Sequence, residues 1–197
     1  MVKVLVERQN LTVYTIGHST RSLEEFMEIL KVYNITAVID VRAVPRSRHN
    51  SQFNKEVLSN ALRVCGIKYL VFSSIGGMRH PKKDTVNLAL ENSSFRGYAD
   101  FMQTKDFTEE LLKIIALAKE NCLAMMCVEA LPGRCHRNLI SDMLVVRHIK
   151  VLHIISKDST ITHQLHELAQ VAGTQISYPL FNSKYTAQKS LDDYETV

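Results

Sequence analysis

The 197-residue chain is long enough to fold as one domain around a substantial hydrophobic core. Hydrophobic residues make up 46% of it and charged residues 22%, a composition that excludes an intrinsically disordered protein. The formal net charge of +4 permits attraction to phosphate-bearing partners, but Lys and Arg form no long run of the kind that nucleic-acid-binding arms carry.

The chain has four cysteines, Cys65, Cys122, Cys127 and Cys135. Charged residues interrupt the apolar N-terminal stretch, so no secretory signal is predicted, and no apolar run reaches the roughly 20 residues that a membrane span needs. We therefore expect a cytoplasmic protein with reduced thiols and no membrane partner. The oligomeric state does not follow from the sequence.

Apolar runs alternate with helical patterns, which predicts an α/β fold with parallel strands buried on both faces. Strands are predicted at residues 11–16, 36–41, 67–72, 122–128 and 151–155. Helices are predicted after a capping box at Ser22, then at residues 55–64, 95–119 with a break near Asp106, 135–148 and 160–169. We predict a single domain over residues 1–172 and a partly disordered tail over residues 173–197.

Three polar motifs follow predicted strands directly: Gly17-His18-Ser19, Asp40-Val41-Arg42 and the segment 127–137. Ligands of open parallel sheets bind at the carboxyl ends of the strands. The shared position of the three motifs therefore predicts one functional site at this edge of the sheet.

The segment 127–137 is the richest of the three motifs. It places Cys135 at the predicted start of a helix, between Arg134 and Arg137, where the helix dipole and both cations favour a thiolate. The free N–H groups of such a helix start can also bind a phosphate or a carboxylate. Cys135 is therefore a candidate nucleophile, and His136 and Arg137 are candidate anion-binding residues. The structural alternative makes Cys135 a small buried residue and His136 a hydrogen-bonded strut.

The motif after the second strand carries further candidates. Asp40 and Arg42 face the same side of an extended segment, where they either flank a ligand or form a salt bridge that fixes the following loop. Arg46 and Ser47 carry donors suited to phosphate oxygens, and a solvated loop is their alternative role. We assign these four residues, together with Ser19, to anion binding.

Two residues are candidates for proton transfer. His18 follows the first strand and is either an acid–base group or a hydrogen bonder that fixes its loop. Glu129 lies at a strand end and either moves a proton or orients an arginine. Cys127, Cys135, His136 and His18 lack the usual spacing of zinc ligands, so we predict no metal and no cofactor.

Together these motifs resemble the uncharacterised family called domain of unknown function 488. The resemblance rests on Ile16-Gly17-His18-Ser19, Asp40-Val41-Arg42 with Pro45, Ser47 and Phe53, residues 66–69, Gly76-Gly77, and Cys127-Val-Glu129 with Pro132 and Cys135-His136-Arg137. His153-Ile154 and His163 resemble the closing segment of the family. The resemblance covers residues 11–170 and implies a three-layer α/β/α sandwich with a mostly parallel central sheet, without implying a reaction. Asp40-Val41-Arg42 also resembles the rhodanese-like sulfurtransferases, whose thiolate lies in a loop between a strand and a helix.

Three functional hypotheses follow. The first is an enzyme acting on a phosphate-bearing small molecule or a nucleic acid, with Cys135 as the nucleophile, the arginines on the anion, and Glu129 or His18 moving protons. The second is a non-catalytic module that binds nucleotides or nucleic acid. The third is a metal-dependent hydrolase or a structural zinc protein, and rhodanese-like thiol chemistry is a further alternative to the first.

Overall fold

The structure, a computed structural model, describes residues 11–180. The central sheet consists of β1 (Thr12–Gly17), β2 (Ala37–Asp40), β3 (Lys68–Val71), β4 (Leu123–Cys127), β5 (Lys150–Ser156) and β6 (Ser159–Thr162). The α-helices of this part of the chain are α1 (Leu23–Val32), α2 (Lys55–Val64), α3 (Ser93–Met102), α4 (Lys105–Glu120) and α5 (Arg137–Val145). A small hairpin of β7 (Gln170–Ala172) and β8 (Gln175–Ser177) follows β6.

The central sheet is mostly parallel, as predicted. Its strands lie in the order β3-β2-β4-β1-β5-β6, and only β6, at one edge, runs antiparallel to its neighbour. Alternate side chains point to opposite faces. Ile39 and Met125 pack with α3, α4 and α5, whereas Val38 and Met126 pack with α1 and α2. The chain is therefore the expected α/β/α sandwich with two hydrophobic layers.

Local capping signals set several helix boundaries. Ser22 Oγ accepts a hydrogen bond of 3.1 Å from the Glu25 N–H, which starts α1 where the capping box predicts it. Thr104 caps α4 in the same way. The break predicted near Asp106 is therefore present between α3, which ends at Met102, and α4, which begins at Lys105. The predicted helix over residues 55–64 is confirmed as α2.

Of the two helices predicted in the last third of the chain, one is wrong and the other is confirmed as α5 with a later start. The segment 160–169 is not a helix but forms most of β6 and a turn, because its β-branched residues pair with the edge of β5. The helix expected to begin at Cys135 begins at Arg137, after a short 3₁₀ helix, Pro132–Arg134, and an extended residue. The predicted tail starts inside the β7–β8 hairpin, where Ile176 is buried, and residues 181–197 lie outside the described residues.

The carboxyl ends of three strands meet at one edge of the sheet. Gly17 at the end of β1 lies opposite Cys127 at the end of β4, and Asp40 at the end of β2 lies opposite Met126. The three polar motifs therefore leave the sheet side by side, which is the arrangement that creates ligand sites in parallel sheets. Within residues 11–180, no helix is both long and apolar enough to cross a membrane.

Candidate functional site

A cavity of about 450 Å³ opens at this edge of the sheet. Its walls come from the loops after β2 and β4 and from parts of the segment between Gly77 and Tyr98. The polar and sulfur-bearing residues of the lining are Arg42, Arg46, Ser94, Cys127, Glu129, Arg134, Cys135 and His136. The apolar and aromatic residues are Ala43, Val44, Met78, Phe95, Tyr98 and Val128. Five of the ten predicted site residues thus meet at one cavity.

Cys135 lines the cavity although only 3% of the residue is exposed. Its backbone is extended, with φ −132° and ψ 144°, and its N–H donates to the Pro132 carbonyl at 2.9 Å. This short loop, rather than the helix itself, holds the cysteine two residues before α5. The sulfur atom therefore lies between the end of β4 and the start of α5.

The surroundings of the Cys135 sulfur favour its thiolate form. Hydrogen bonding to Cys127, then to His136, together with the nearby Arg137 charge, holds the pKa of the Cys135 thiol well below its usual range despite burial. Arg137 Nε–H donates to the Cys135 sulfur at 3.3 Å. The hydrogen bond to Cys135 and burial both raise the pKa of the Cys127 thiol. The negative charge therefore resides on Cys135 and the proton on Cys127.

His136 is oriented toward both sulfur atoms. Its Nε2–H donates to the Val41 carbonyl at 2.9 Å, so the Nδ1 atom of the neutral ring carries a lone pair. Nδ1 lies 3.7 Å from the sulfur of Cys135 and 4.0 Å from that of Cys127. A Cβ atom added at Gly77 would lie only 3.0 Å from Nδ1, so the glycine lets the neighbouring loop cover this ring. His136 Nδ1 is thus placed to hold the proton that the Cys135 thiol gives up when it becomes a thiolate.

These three side chains also form the group best suited to a metal ion within residues 11–180. The sulfur atoms of Cys127 and Cys135 and the Nδ1 atom of His136 lie within 4.8 Å of one another. Two thiolates and an imidazole suit a soft divalent cation such as Zn²⁺. The spacing of these residues in the sequence does not predict that they meet. They come together because the end of β4 lies beside the loop that holds Cys135. The buried Arg137 guanidinium, bonded to one of the two sulfurs, opposes a second cation there.

Asp40 and Arg42 form a buried ion pair. The Asp40 carboxylate accepts Nε–H at 2.8 Å and Nη2–H at 2.6 Å from Arg42. Nη2 also donates to the Phe53 carbonyl, and Nη1 lies 3.4 Å from His18 Nε2. Four of the five guanidinium N–H groups thus have partners inside the protein. The geometry matches the salt-bridge alternative for this pair, although Arg42 still borders the cavity.

His18 and Ser19 lie beneath the loops and do not line the cavity. The His18 ring is buried, stacks on Phe53 with 4.3 Å between ring centroids, and donates Nδ1–H to the Ser19 carbonyl. Burial is the main cause that lowers the pKa of His18 to about 4, so the ring is neutral at pH 7. The Ser19 N–H donates to the Val128 carbonyl at 2.8 Å. Both residues join the end of β1 to the loop after β4.

Arg137 and Ser47 also hold loops together. Arg137 is 1% exposed, and its Nη2 donates to the Glu129 carbonyl while Nη1 donates to Thr15 Oγ1 at 3.4 Å. Ser47 Oγ accepts from the Asn50 N–H at 3.0 Å and fixes the turn after β2. Neither residue lines the cavity.

The side chains of Arg46, Glu129 and Arg134 differ from those above because they are exposed and line the cavity. They are free to meet a ligand, since no side-chain hydrogen bond or ion pair occupies them among the described residues. Arg134 was named in the sequence only as a neighbour of Cys135. Tyr98 gives no such signal in the sequence, because an aromatic residue on an amphipathic helix has the pattern of a core residue. Cys127, considered above only among the zinc ligands, also lines the cavity.

Comparison with known proteins gives one match. No curated protein and no solved structure is similar to the chain. Residues 22–144, which are more than half of the chain, match the family described as Domain of unknown function DUF488. This span contains β2, β4, Cys135 and the cavity walls. The protein belongs to the DUF488 family.

Proposed function

We propose that the protein is an enzyme that uses Cys135 as a nucleophile on a phosphate-bearing substrate held in the cavity. The observation that carries this proposal is the position of the Cys135 sulfur. It lies at the cavity wall, within 3.3 Å of Arg137 Nε and 3.7 Å of His136 Nδ1. A cysteine with a base and a fixed cation beside its sulfur is an activated nucleophile.

The charges around the cavity support an anionic substrate. Arg46 and Arg134 line it against a single carboxylate, Glu129, while the charge of Arg42, the third arginine of the lining, is balanced by Asp40. Arg46 and Arg134 have the free guanidinium groups that bind phosphate oxygens in pairs. The apolar wall around Phe95 offers space for the remainder of the substrate.

The proposed reaction has two steps. In the first, the Cys135 thiolate, whose proton has passed to His136 Nδ1, bonds to phosphorus, and the bond from phosphorus to the leaving oxygen breaks with its electron pair. The leaving oxygen takes the proton from His136. In the second, Glu129 takes a proton from water, whose oxygen attacks phosphorus and releases the Cys135 thiolate. His18, which is buried and neutral, has no direct part in either step.

Turnover and covalent labelling test this proposal. The full chain is incubated with a panel of phosphomonoesters, phosphodiesters and nucleotides, and phosphate release and phosphorylation of Cys135 are measured by mass spectrometry. The matched variants are Cys135→Ser and Cys65→Ser, since Cys65 is exposed and distant from the cavity. We expect Cys135→Ser to lose turnover by about a thousandfold or more, with an unchanged melting temperature, and Cys65→Ser to behave like the wild type.

The same experiment separates the competing functions. Salt-sensitive nucleotide binding without turnover, reduced in Arg46→Gln, would indicate a binding module instead. A persulfide on Cys135 after incubation with thiosulfate would indicate rhodanese-like sulfur transfer. The metal alternative rests on the grouping of Cys127, Cys135 and His136. One equivalent of tightly bound zinc in protein purified without chelator would replace the nucleophile proposal with that alternative.

A further inference from the structure

A buried chain of hydrogen bonds runs from Arg137 to a carboxylate that the proposed reaction does not use. Its links are Arg137 Nη1 to Thr15 Oγ1 at 3.4 Å, Thr15 Oγ1 to His153 Nδ1 at 2.7 Å, His153 Nε2 to His163 Nδ1 at 2.9 Å, and His163 Nε2 to Asp142 Oδ1 at 2.9 Å. All five residues are buried. Polar groups removed from water in this way remain folded only when they are hydrogen-bonded to one another.

The direction of each hydrogen bond follows from the ends of the chain. Asp142 only accepts: it also receives the Tyr178 O–H at 2.7 Å and the His166 N–H at 2.9 Å. His163 therefore donates through Nε2 and, when neutral, accepts at Nδ1 from His153 Nε2–H. His153 Nδ1 then accepts the Thr15 hydroxyl proton, and the Thr15 oxygen accepts from Arg137. Every group is satisfied.

The reverse arrangement is less favourable. A protonated His163 would donate to His153, which would then donate to Thr15 Oγ1. The Thr15 oxygen would receive hydrogens from both His153 and Arg137, and its own hydroxyl hydrogen would have no partner in the chain. Burial is the main cause that lowers the pKa of His153 to about 4, so this ring is neutral in both arrangements. The Thr15 hydroxyl hydrogen distinguishes the two, and it favours donors that all point from Arg137 toward Asp142.

The chain fixes the guanidinium that faces Cys135. Arg137 directs Nε–H to the Cys135 sulfur, Nη2 to the Glu129 carbonyl and Nη1 to Thr15. These three contacts define the plane of the group. Without the Thr15 hydroxyl, Nη1 would be left buried without its acceptor, and the guanidinium would be free to turn away from the sulfur. Asp142 adds a buried negative charge at the far end of the chain.

We infer that Thr15, His153, His163 and Asp142 are positioning residues that hold Arg137 in the orientation in which it stabilises the Cys135 thiolate. The effect on Cys135 rests on the proposed function. The direction of the chain and the immobility of Arg137 do not, because they are properties of the folded protein with or without a reaction.

The matched variants are Thr15→Val, which keeps the shape and removes the hydroxyl, and Thr15→Ser, which keeps the hydroxyl. The first measurement is ¹⁵N NMR of the histidine rings and of the Arg137 Nε–H group at pH 7. We expect Nε2–H tautomers for His153 and His163 in the wild type. The Arg137 Nε–H should exchange with solvent at least tenfold faster in Thr15→Val and at the wild-type rate in Thr15→Ser.

The second measurement is the pH profile of Cys135 alkylation. We expect the midpoint of the profile to lie about one pH unit higher in Thr15→Val than in the wild type, as a pKa raised by one unit would give, and Thr15→Ser to keep the wild-type midpoint. If Thr15→Val melts far below the wild type, His163→Phe, which keeps a ring and removes both nitrogens from the chain, gives the same comparison.

The NMR and alkylation measurements distinguish a failure of the positioning role from a failure of the proposed function. Slow labelling of Cys135 in the wild type at every pH would contradict the proposed function, while the NMR results would still decide on the chain. An Nδ1–H tautomer at His153, or an Arg137 Nε–H signal unaffected by Thr15→Val, would overturn the positioning role. So would equal midpoints of the alkylation profile in the wild type and Thr15→Val, if the wild type labels rapidly.

Discussion

Asp40→Asn tests whether Arg42 belongs to the scaffold or to the ligand site. The wild-type carboxylate is fully buried and accepts hydrogen bonds from Arg42 Nε, Arg42 Nη2, the Arg42 N–H and the Tyr69 hydroxyl, at 2.6 to 3.1 Å. An asparagine amide in its place has only one acceptor oxygen. Its two N–H groups would face the N–H and O–H groups that donate to the wild-type carboxylate. The substitution leaves the Arg42 charge buried without its counterion.

The expected loss is large. Removing one partner of a buried ion pair lowers the free energy of unfolding by about 3–5 kcal/mol. With an m-value of about 2 kcal/mol per M urea, the unfolding midpoint falls by roughly 1.5–2.5 M. Far-UV circular dichroism is the suitable probe, because the chain has no tryptophan. Arg42→Gln should cause a loss of similar size, and the double variant should lose less than the sum of the two.

Arg46→Gln is the matched control, since Arg46 is an exposed arginine at the same cavity. Its unfolding free energy should stay within about 0.5 kcal/mol of the wild type. A loss below about 1 kcal/mol in Asp40→Asn would refute the scaffold role. Arg42 would then be available to a ligand, as the sequence alone suggested.

Three further predictions concern acid, packing and ligand binding. The folded pKa values of His18 and His153, about 4, lie below the usual 6.5, so the unfolded chain takes up protons first. The free energy of unfolding should have its full value above pH 6.5 and fall toward pH 4 by up to about 3 kcal/mol per histidine. A urea midpoint that stays constant from pH 7 to 4.5 would contradict this prediction. A Cβ atom at Gly17 would lie 1.8 Å from a backbone carbonyl oxygen, so Gly17→Ala should lose about 3 kcal/mol or more. Gly133→Ala, where a Cβ meets nothing within 4 Å, should stay close to the wild type in thermal melting. Arg46→Gln should weaken phosphate protection of Cys135 several-fold in the alkylation assay and flatten its salt dependence, and unchanged protection would exclude Arg46 from anion binding.

The sheet and the location of the site follow from short-range sequence patterns. Buried parallel strands such as β2 and β4 read as apolar runs, and parallel strands bring their carboxyl ends to one edge. These two facts suffice to bring the polar motifs together. The segment of β6 was misread because a four-residue edge strand with little burial has no periodicity to distinguish it from a helix.

The division between cavity side chains and scaffold side chains could not be read from the sequence. The sequence leaves Arg42 open between a ligand and a salt bridge with Asp40, and it gives no sign of the contact with the Phe53 carbonyl that helps to bury Arg42. The hydrogen-bond chain left a usable signal. Thr15 and His153 are polar residues inside apolar strands, and they lie opposite each other in the register of β1 and β5. Their direct contact depends on that register, which the sequence does not specify.

The reactivity of Cys135 as a function of pH tests the central claim most directly. The native full chain, treated with chelator, is alkylated with iodoacetamide between pH 5 and 9, and all four cysteines are followed by mass spectrometry with exposed Cys65 as the internal reference. The account predicts that Cys135 labels faster than Cys65 well below pH 8.5, the usual range of a free thiol, and that phosphate or nucleotides slow it. If Cys135 labels more slowly than Cys65 at every pH until the protein is unfolded, Cys135 is a structural residue and the proposed nucleophile is contradicted.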